Sequence, residues 1–161
     1  MKKYKTGLTI MRAQPFHAGH ESIINQMIAE CEKVVVLIGS AHAPTSDRNP
    51  FCARTRREMI VNVFGARITI GAIRDLGNID LWVGYVLSHV WQNHGVAVDA
   101  YYSGAEADAQ RFASAGITAV DISRCITPIS ATEIRADVDK NINFVAPANR
   151  EMVRRVLTKQ K

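Results

Sequence analysis

The amino-acid sequence predicts an α/β fold in which helices cover both faces of a Rossmann-like parallel sheet, within a single domain spanning residues 1–161. Short β-branched segments alternate with segments of helical spacing, the pattern of parallel strands joined by right-handed crossovers. The run "KVVVLIG" (33–39) is almost continuously apolar, as expected for a strand buried on both faces. A length of 161 residues fits one domain with its own core.

The predicted strands and helices follow one another along the chain in that alternating order. The strands are short and β-branched, and we place them at 6–11, 33–39, 66–73, 96–104 and 117–123. The helices repeat apolar residues every three or four positions, and we place them at 21–31, 53–64, 81–93, 105–116 and 130–139, with a basic C-terminal helix at 148–160.

Composition excludes several classes of protein. Apolar residues make up 47% and charged residues 22% of the chain, which indicates a folded rather than a disordered protein. No apolar run is long enough to span a membrane, and the basic N-terminus lacks the length and cleavage site of a signal peptide. The cysteines (Cys31, Cys52 and Cys125) are odd in number and widely spaced, which favours reduced thiols. We therefore expect a cytoplasmic protein without a membrane partner.

The net charge of +5 suits nucleic acid and phosphorylated small molecules equally well. The basic residues are spread over both termini and the segment "DRNPFCARTRR" (47–57), without the aromatic residues on which single-stranded nucleic acid stacks. Solvated helix faces explain most of them, so we expect no nucleic-acid partner.

Ligands of such sheets bind beyond the carboxyl ends of the strands. That rule selects five segments for inspection, 12–20, 39–51, 74–82, 103–106 and 127–135.

The segment "QPFHAGH" (14–20) follows the first strand and begins the first helix. His17 and His20 are three residues apart and share one helical face, and Gly19 between them lets a ligand approach. Free N–H groups at a helix start favour an anion, so the pattern favours a phosphate clamp. Surface histidines and a metal site remain open as alternatives, although neither carboxylate nor cysteine stands at a spacing that suits zinc.

The segment "ISATEIR" (129–135) has two readings that are mutually compatible. Ser130 and Glu133 match the S-x-x-E capping box, which predicts only a helix start. Thr132 and Arg135 are not needed for a cap, and with Ser130 they would hold a second stretch of phosphate.

These two segments carry a family resemblance. "HAGH" and "ISATEIR" resemble the HxGH and ISxTxxR motifs of the nucleotidyltransferase superfamily. Together with "IGSAHAPTSDRNPF", "DLWVGYVL" and "YYSG", they resemble in the same order the nicotinamide mononucleotide (NMN) adenylyltransferases of the archaeal type and the N-terminal domain of their bifunctional relatives with a Nudix domain. The resemblance covers about residues 5–140.

The resemblance implies a reaction in which ATP and NMN give NAD and pyrophosphate by direct attack on the α-phosphorus. It implies Mg²⁺ carried by the ATP phosphates and no metal held by the protein. It assigns catalysis to His17, His20, Arg48 and Arg135, and it assigns ATP binding to Arg12, Gln14, His17, Gly19, His20, Ser103, Gly104, Ser130, Thr132 and Arg135.

The resemblance places NMN against Trp82, Arg48 and Asn78. Trp82 would stack on the cationic nicotinamide ring, although its apolar helix also suits a core residue. Two positions depart from the family: Met11 replaces a glycine, and Ile79 stands where an asparagine is usual, one residue after Asn78. The choice between NMN and nicotinic acid mononucleotide therefore stays open.

Two other functions remain alternatives to adenylyl transfer to NMN. A phosphopantetheine adenylyltransferase has similar length and an HxGH motif, but not the patterns "RNPF" and "LWVG". A non-catalytic sensor would bind nucleotide or nucleic acid without turnover. The family resemblance also suits a homo-oligomer.

Overall fold

The computed structural model describes residues 1–122 and 128–159. Its strands are β1 (Tyr4–Met11), β2 (Cys31–Ile38), β3 (Thr69–Ala72), β4 (Ala100–Ser103) and β5 (Thr118–Asp121). Its helices are α1 (Ala18–Glu30), α2 (Ala53–Phe64), α3 (Trp82–His94), α4 (Glu106–Ser114), α5 (Ala131–Ala136), α6 (Val138–Asn141) and α7 (Arg150–Thr158).

The five strands form one parallel sheet in the order β3-β2-β1-β4-β5. β1 is central, and its Leu8 lies between Val35 of β2 and Tyr101 of β4. The predicted Rossmann-like α/β fold is therefore confirmed.

Each face of the sheet is covered by its own apolar cluster. One cluster joins the sheet to α1, α2 and the C-terminal helices through residues such as Ile24, Met59 and Val153. The other joins the opposite face to α3 and α4 through Val86, Val90 and Phe112. Burial of these apolar side chains is the main force that holds the helices to the sheet.

Several predicted boundaries were wrong. The first part of segment 66–73 is a 3₁₀ turn (Gly65–Arg67), and β3 starts only at Thr69. Segment 96–104 is a strand only from Ala100, and segment 130–139 is split at Asp137 into α5 and α6. The predicted helix 148–160 begins with a 3₁₀ turn (Pro147–Asn149), so α7 starts at Arg150. The end of segment 117–123 lies outside the described residues.

Cys31 and Cys52 are free thiols, as expected, and Cys125 lies outside the described residues. Within residues 1–122 and 128–159, none of the helices combines the length and apolar character that a membrane crossing requires.

Candidate active site

Two adjoining clefts open at the carboxyl edge of the sheet. The larger has a volume of about 750 Å³ and lies between the ends of β1 and β4 and the starts of α1 and α5. The smaller has a volume of about 210 Å³ and lies between the ends of β1 and β2 and the start of α3. Four residues line both clefts, namely Ile10, Met11, Tyr101 and Asp108.

Two histidines form the start of α1. His17 is the N-cap residue, and its Nδ1 accepts a hydrogen bond from the Gly19 amide at 3.1 Å. The Nδ1 of His20 accepts one from the His17 amide at 3.3 Å, which completes a capping box. Because both Nδ1 atoms accept, each neutral ring carries its hydrogen on Nε2. Both histidines line the larger cleft, so the capping box leaves two ring donors for a ligand.

Both imidazoles are uncharged at neutral pH. Burial lowers the pKa of His17 to about 4, and the nearby Glu133 carboxylate only partly opposes that effect. Burial, and then the charge of His17, lower the pKa of His20. The ring centroids are 3.8 Å apart, so a second positive charge would be repelled by the first.

Gly19 is required by the histidine arrangement itself. A Cβ at this position would lie 2.9 Å from Cε1 and 3.0 Å from Nδ1 of His17. Any other residue would push the His17 ring from its capping position. The sequence interpretation, which gave Gly19 to ligand approach, missed this constraint.

The start of α5 is the second helix terminus at the larger cleft. Ser130 Oγ accepts from the Glu133 amide at 3.2 Å, and the Glu133 carboxylate accepts from the Ser130 amide at 2.8 Å. The predicted capping box is therefore confirmed. Ser130 and Glu133 line the cleft.

Arg135 joins the start of α5 to the loop after β1. Its guanidinium donates to the Gln14 carbonyl oxygen at 2.5 Å and to Thr132 Oγ1 at 3.2 Å. Burial, and the charges of Arg12 and Arg48, lower the pKa of Arg135. The structure thus brings Thr132 and three predicted phosphate-binding arginines to the same edge of the sheet, but only Arg12 among these four residues lines a cleft.

Arg12 lies at the smaller cleft, and its guanidinium donates to Asn49 Oδ1. That bond ties the loop after β1 to the loop that carries Arg48, whose side chain is exposed.

Gln14 is buried, and its amide pairs with the Phe51 backbone in both directions, at 2.8 Å as donor and 2.9 Å as acceptor. These bonds occupy the side chain that the resemblance assigned to ATP, and they give Gln14 a structural task.

Of the remaining predicted residues, Ser103, Gly104 and Trp82 each line a cleft, and Asn78 lines neither. Ser103 and Gly104 line the larger cleft, and Ser103 Oγ accepts from the Ala105 amide at 3.0 Å. Trp82 is half-buried at the first position of α3, and it lines the smaller cleft. Asn78 is exposed and its Oδ1 accepts from the Asp80 amide at 3.0 Å, so it stabilises the turn before α3.

Met11, which the sequence marked as a departure from the family and whose side chain would crowd the adenosine or the strand end, is 7% exposed and contributes to both clefts. Two other residues of the site were missed by sequence reasoning. Tyr101 and Asp108 also line both clefts. Tyr101 belongs to the segment "YYSG" that carries the family resemblance, but nothing in the sequence indicated that α4 would bring Asp108 to the same edge.

The fold places this chain in the class of open parallel α/β proteins, in which helix termini at the carboxyl edge of the sheet commonly bind nucleotide phosphates. The cytidylyltransferase-like family model matches residues 12–137, and the chain belongs to that family. The predicted family resemblance is therefore confirmed.

Relatives within the family include proteins named nicotinamide-nucleotide adenylyltransferase. The one from Pyrococcus horikoshii is 31% identical over 140 residues, which cover 80% of this chain and 70% of the relative. The one from Halobacterium salinarum is 41% identical over 85 residues, which cover 51% of this chain and 48% of the relative. The matched region thus spans about half the length of this second relative.

Solved structures share the fold. A bifunctional NMN adenylyltransferase/ADP-ribose pyrophosphatase from Francisella tularensis, complexed with AMP and a manganese ion, has a TM-score of 0.71 at 23% identity over 83% of this chain and 41% of its own. NadR protein in complex with NAD and AMP-PNP has a TM-score of 0.70 at 16% identity over 92% of this chain and 47% of its own.

Proposed function

We propose that this protein transfers AMP from ATP to NMN, giving NAD and pyrophosphate. The observation that carries the proposal is the histidine capping box, which leaves two Nε2–H donors at the larger cleft beside the start of α5. Donors held rigidly at a helix terminus suit phosphate oxygens whose charge rises during transfer. The names of the relatives support adenylyl transfer to NMN.

In the proposed reaction, a phosphate oxygen of NMN attacks the α-phosphorus of ATP. One P–O bond forms, the bond to the β-phosphate bridge breaks, and pyrophosphate leaves with the electron pair. No covalent intermediate with the protein is needed. Catalysis then consists of positioning and charge stabilisation, which is the general strategy of phosphoryl-type transfer.

We propose that each cleft takes one of the two substrates, which would meet at β1. We assign the triphosphate to His17, His20 and the α5 start with Ser130, Thr132 and Arg135, and the adenosine to Ser103 and Gly104. We assign NMN to the smaller cleft, where Trp82 would stack on the nicotinamide ring. Arg12 and Arg48 would bring positive charge to the phosphates between them.

A divalent ion would arrive with ATP rather than reside in the protein. The larger cleft offers imidazole N–H groups and hydroxyls, which suit phosphate oxygens, and of its two carboxylates, Asp108 and Glu133, the second is bound in the α5 capping box. We propose Mg²⁺, bound to the ATP phosphates, as the ion that neutralises charge on the leaving pyrophosphate.

The first test is formation of NAD from ATP, Mg²⁺ and NMN, with nicotinic acid mononucleotide and phosphopantetheine as parallel acceptors. We expect dinucleotide from NMN, and the rate ratio to nicotinic acid mononucleotide measures the selectivity left open by Asn78 and Ile79. Pyrophosphate release with phosphopantetheine alone would replace NMN by that acceptor. ATP binding without product from any acceptor would support the non-catalytic sensor.

We further propose that the protein acts in the cytoplasm on small molecules, with no nucleic-acid or membrane partner, and that it assembles as a homo-oligomer. The free thiols of Cys31 and Cys52 suit a reducing compartment. Size-exclusion chromatography with light scattering tests the assembly.

A further inference from the structure

A buried arginine lies behind the loops that form the smaller cleft. Arg56 projects from the first turn of α2 and is 1% exposed. Its Nη1 donates to the carbonyl oxygens of Arg12 and Gly39, both at 2.7 Å, and its Nη2 donates to that of Ser40 at 3.1 Å. A single guanidinium thus holds the chain where both β1 and β2 end.

Packing alone does not explain why a guanidinium occupies this buried position. Within residues 1–122 and 128–159, Arg56 forms no ion pair, and its Nε has no hydrogen-bond partner. A buried charge with an incomplete set of partners opposes folding. An apolar residue would fill this position at lower cost if packing were its purpose.

The loops that Arg56 holds have unfavourable backbone conformations. Ala13, next to Arg12, has φ +50°, and Ser40 has φ +47°, in the left-handed region that residues with a Cβ seldom adopt. Such conformations persist where surrounding contacts impose them, and they cluster at functional sites. Arg12, Gly39 and Ser40 all line the smaller cleft.

We infer that Arg56 is a positioning residue, which fixes the backbone of Arg12 and of the Gly39–Ser40 turn so that the Arg12 guanidinium faces the substrate phosphates before they bind. This inference rests on the proposed function. The bond from Arg12 to Asn49 fixes the other end of the same residue. Arg12 is thus held at its backbone carbonyl and at its guanidinium, in agreement with the advantage of preorganised charge at such sites.

A double-mutant cycle tests whether Arg56 acts through Arg12. The variants are Arg56→Lys, Arg12→Ala and the double variant, and the readout is the dissociation constant of a non-hydrolysable ATP analogue, with kcat and KM for NAD formation beside it. We expect Arg56→Lys to weaken analogue binding about tenfold in the wild-type background and less than about twofold in the Arg12→Ala background. Equal effects in both backgrounds, or no effect in either, would overturn the inference.

Arg57→Lys is the matched control. Arg57 is the next residue on α2, and its Nη1 donates to the Ile70 carbonyl oxygen at 2.5 Å, on a strand that lines neither cleft. We expect wild-type analogue binding from this variant. A loss equal to that of Arg56→Lys would assign the effect to α2 as a whole.

Melting temperatures separate folding from positioning. If Arg56→Lys does not fold, Arg56→Gln, which keeps two donors on one nitrogen, takes its place in the cycle. If neither folds while Arg57→Lys does, Arg56 serves the fold and the inference is wrong. Wild-type protein that binds the analogue but makes no NAD would remove the proposed function, and the binding cycle would still decide the role of Arg56.

Discussion

Histidine is an uncommon choice for capping a helix, because Ser, Thr, Asp and Asn satisfy the free amides at a smaller size. An imidazole differs from those residues in having a second nitrogen on the far side of its ring. In α1 the Nδ1 atoms of His17 and His20 cap the helix, and the Nε2 atoms remain for another partner. The same two side chains thus build the helix start and form the donor pair of the larger cleft.

His20 is expected to contribute to turnover and, to a smaller degree, to stability. His20→Ala should lower kcat by about two to three orders of magnitude, since it removes a donor to developing charge. It should also destabilise the fold by about 1 kcal/mol, because half of the capping box is lost. Steady-state kinetics of NAD formation and thermal melts measure the two effects.

His20→Glu separates these two effects. Glutamate at this position restores the capping box but offers no donor to phosphate. We expect the melting temperature to recover and kcat to stay low. Near-wild-type turnover in the alanine variant would remove His20 from the mechanism.

The buried His17 predicts that stability decreases in mild acid. Its pKa is about 4 in the folded protein, against an ordinary value of 6.5. As pH falls from 6.5 to 4, the unfolded chain takes up a proton that the folded protein does not, so the free energy of unfolding decreases. The full difference amounts to about 3 kcal/mol. Protonation of Nδ1 would also remove the cap on Gly19.

The matched variant for this prediction is His17→Asn, because asparagine caps a helix well and does not titrate. Urea unfolding at several pH values between 4 and 7 should show a weaker pH dependence for His17→Asn than for the wild type. Parallel curves would show that His17 does not cause the acid sensitivity.

Helix α3 carries two tryptophans, Trp82 and Trp91, and we expect opposite results when each is replaced by alanine. Trp82 lines the smaller cleft at the start of the helix, whereas Trp91 is 61% exposed near its end. We expect Trp82→Ala to raise the KM for NMN about tenfold or more and that for ATP much less, since only the nicotinamide ring would stack on it. Trp91→Ala should leave both constants unchanged. Equal increases for both substrates, or loss of folding, would favour a core role for Trp82.

The bounds of helices and strands were predicted well where the apolar pattern is long, and poorly where contacts across the sheet determine them. β1 and β2 were predicted to within two residues at each end, β2 because its apolar run is almost continuous and β1 because its β-branched and apolar residues are typical of a strand. Segment 96–104 was overextended because β4 pairs with β1 only at Ala100 and Tyr101, and alternation in sequence does not reveal the register. The split at Asp137 was missed because Asp137 caps α6 within what read as a continuing helix.

At the candidate site, too, local patterns were found from the sequence and contacts made by the tertiary fold were missed. The motifs around His17 and Ser130 were found because they are local patterns. Arg56 was grouped with solvated arginines, although it lies one turn before the buried Met59 and Ile60 on the same helical face. That spacing was the available signal, but its carbonyl partners on β1 and β2 depend on the tertiary fold. The hydrogen bonds between Gln14 and Phe51 likewise depend on the tertiary fold and cannot be predicted from either residue alone.

Gln14 joins the loop after β1 to the loop before α2, so its replacement is expected to lower the stability of the fold. Gln14→Leu should destabilise the protein by about 2–4 kcal/mol, because the buried amide and carbonyl of Phe51 lose their partners. Gln110→Leu on the exposed face of α4 is the control, and it should change stability by less than about 0.5 kcal/mol. Urea denaturation measures both variants. A loss below about 1 kcal/mol for Gln14→Leu would mean that water replaces the lost bonds.

At the scale of the whole molecule, the order of the strands locates the site. The chain builds outward from β1 to β3 on one side and then returns to β4 on the other, so the direction of winding reverses between β1 and β4. Ligands of open parallel sheets bind at such a reversal, beyond the carboxyl ends of the strands. The larger cleft lies at this point, and β1 separates it from the smaller cleft. The four residues that line both clefts would therefore lie between the two proposed ligands.

The sheet and its two covering layers are expected to unfold together, and a bound ligand is expected to stabilise them as one unit. Because both apolar clusters share the same five strands, we expect one cooperative thermal transition with equal calorimetric and van't Hoff enthalpies. ATP with Mg²⁺ at 100 times its dissociation constant should stabilise the folded protein by about 2.7 kcal/mol. That gain corresponds to an increase of about 5–10 °C in the melting temperature for a protein of this size. Differential scanning calorimetry measures both quantities, with NMN and phosphopantetheine as further ligands. Two separate transitions, of which ATP raises only one, would contradict the single domain over residues 1–161 and would confine the site to one part of the chain.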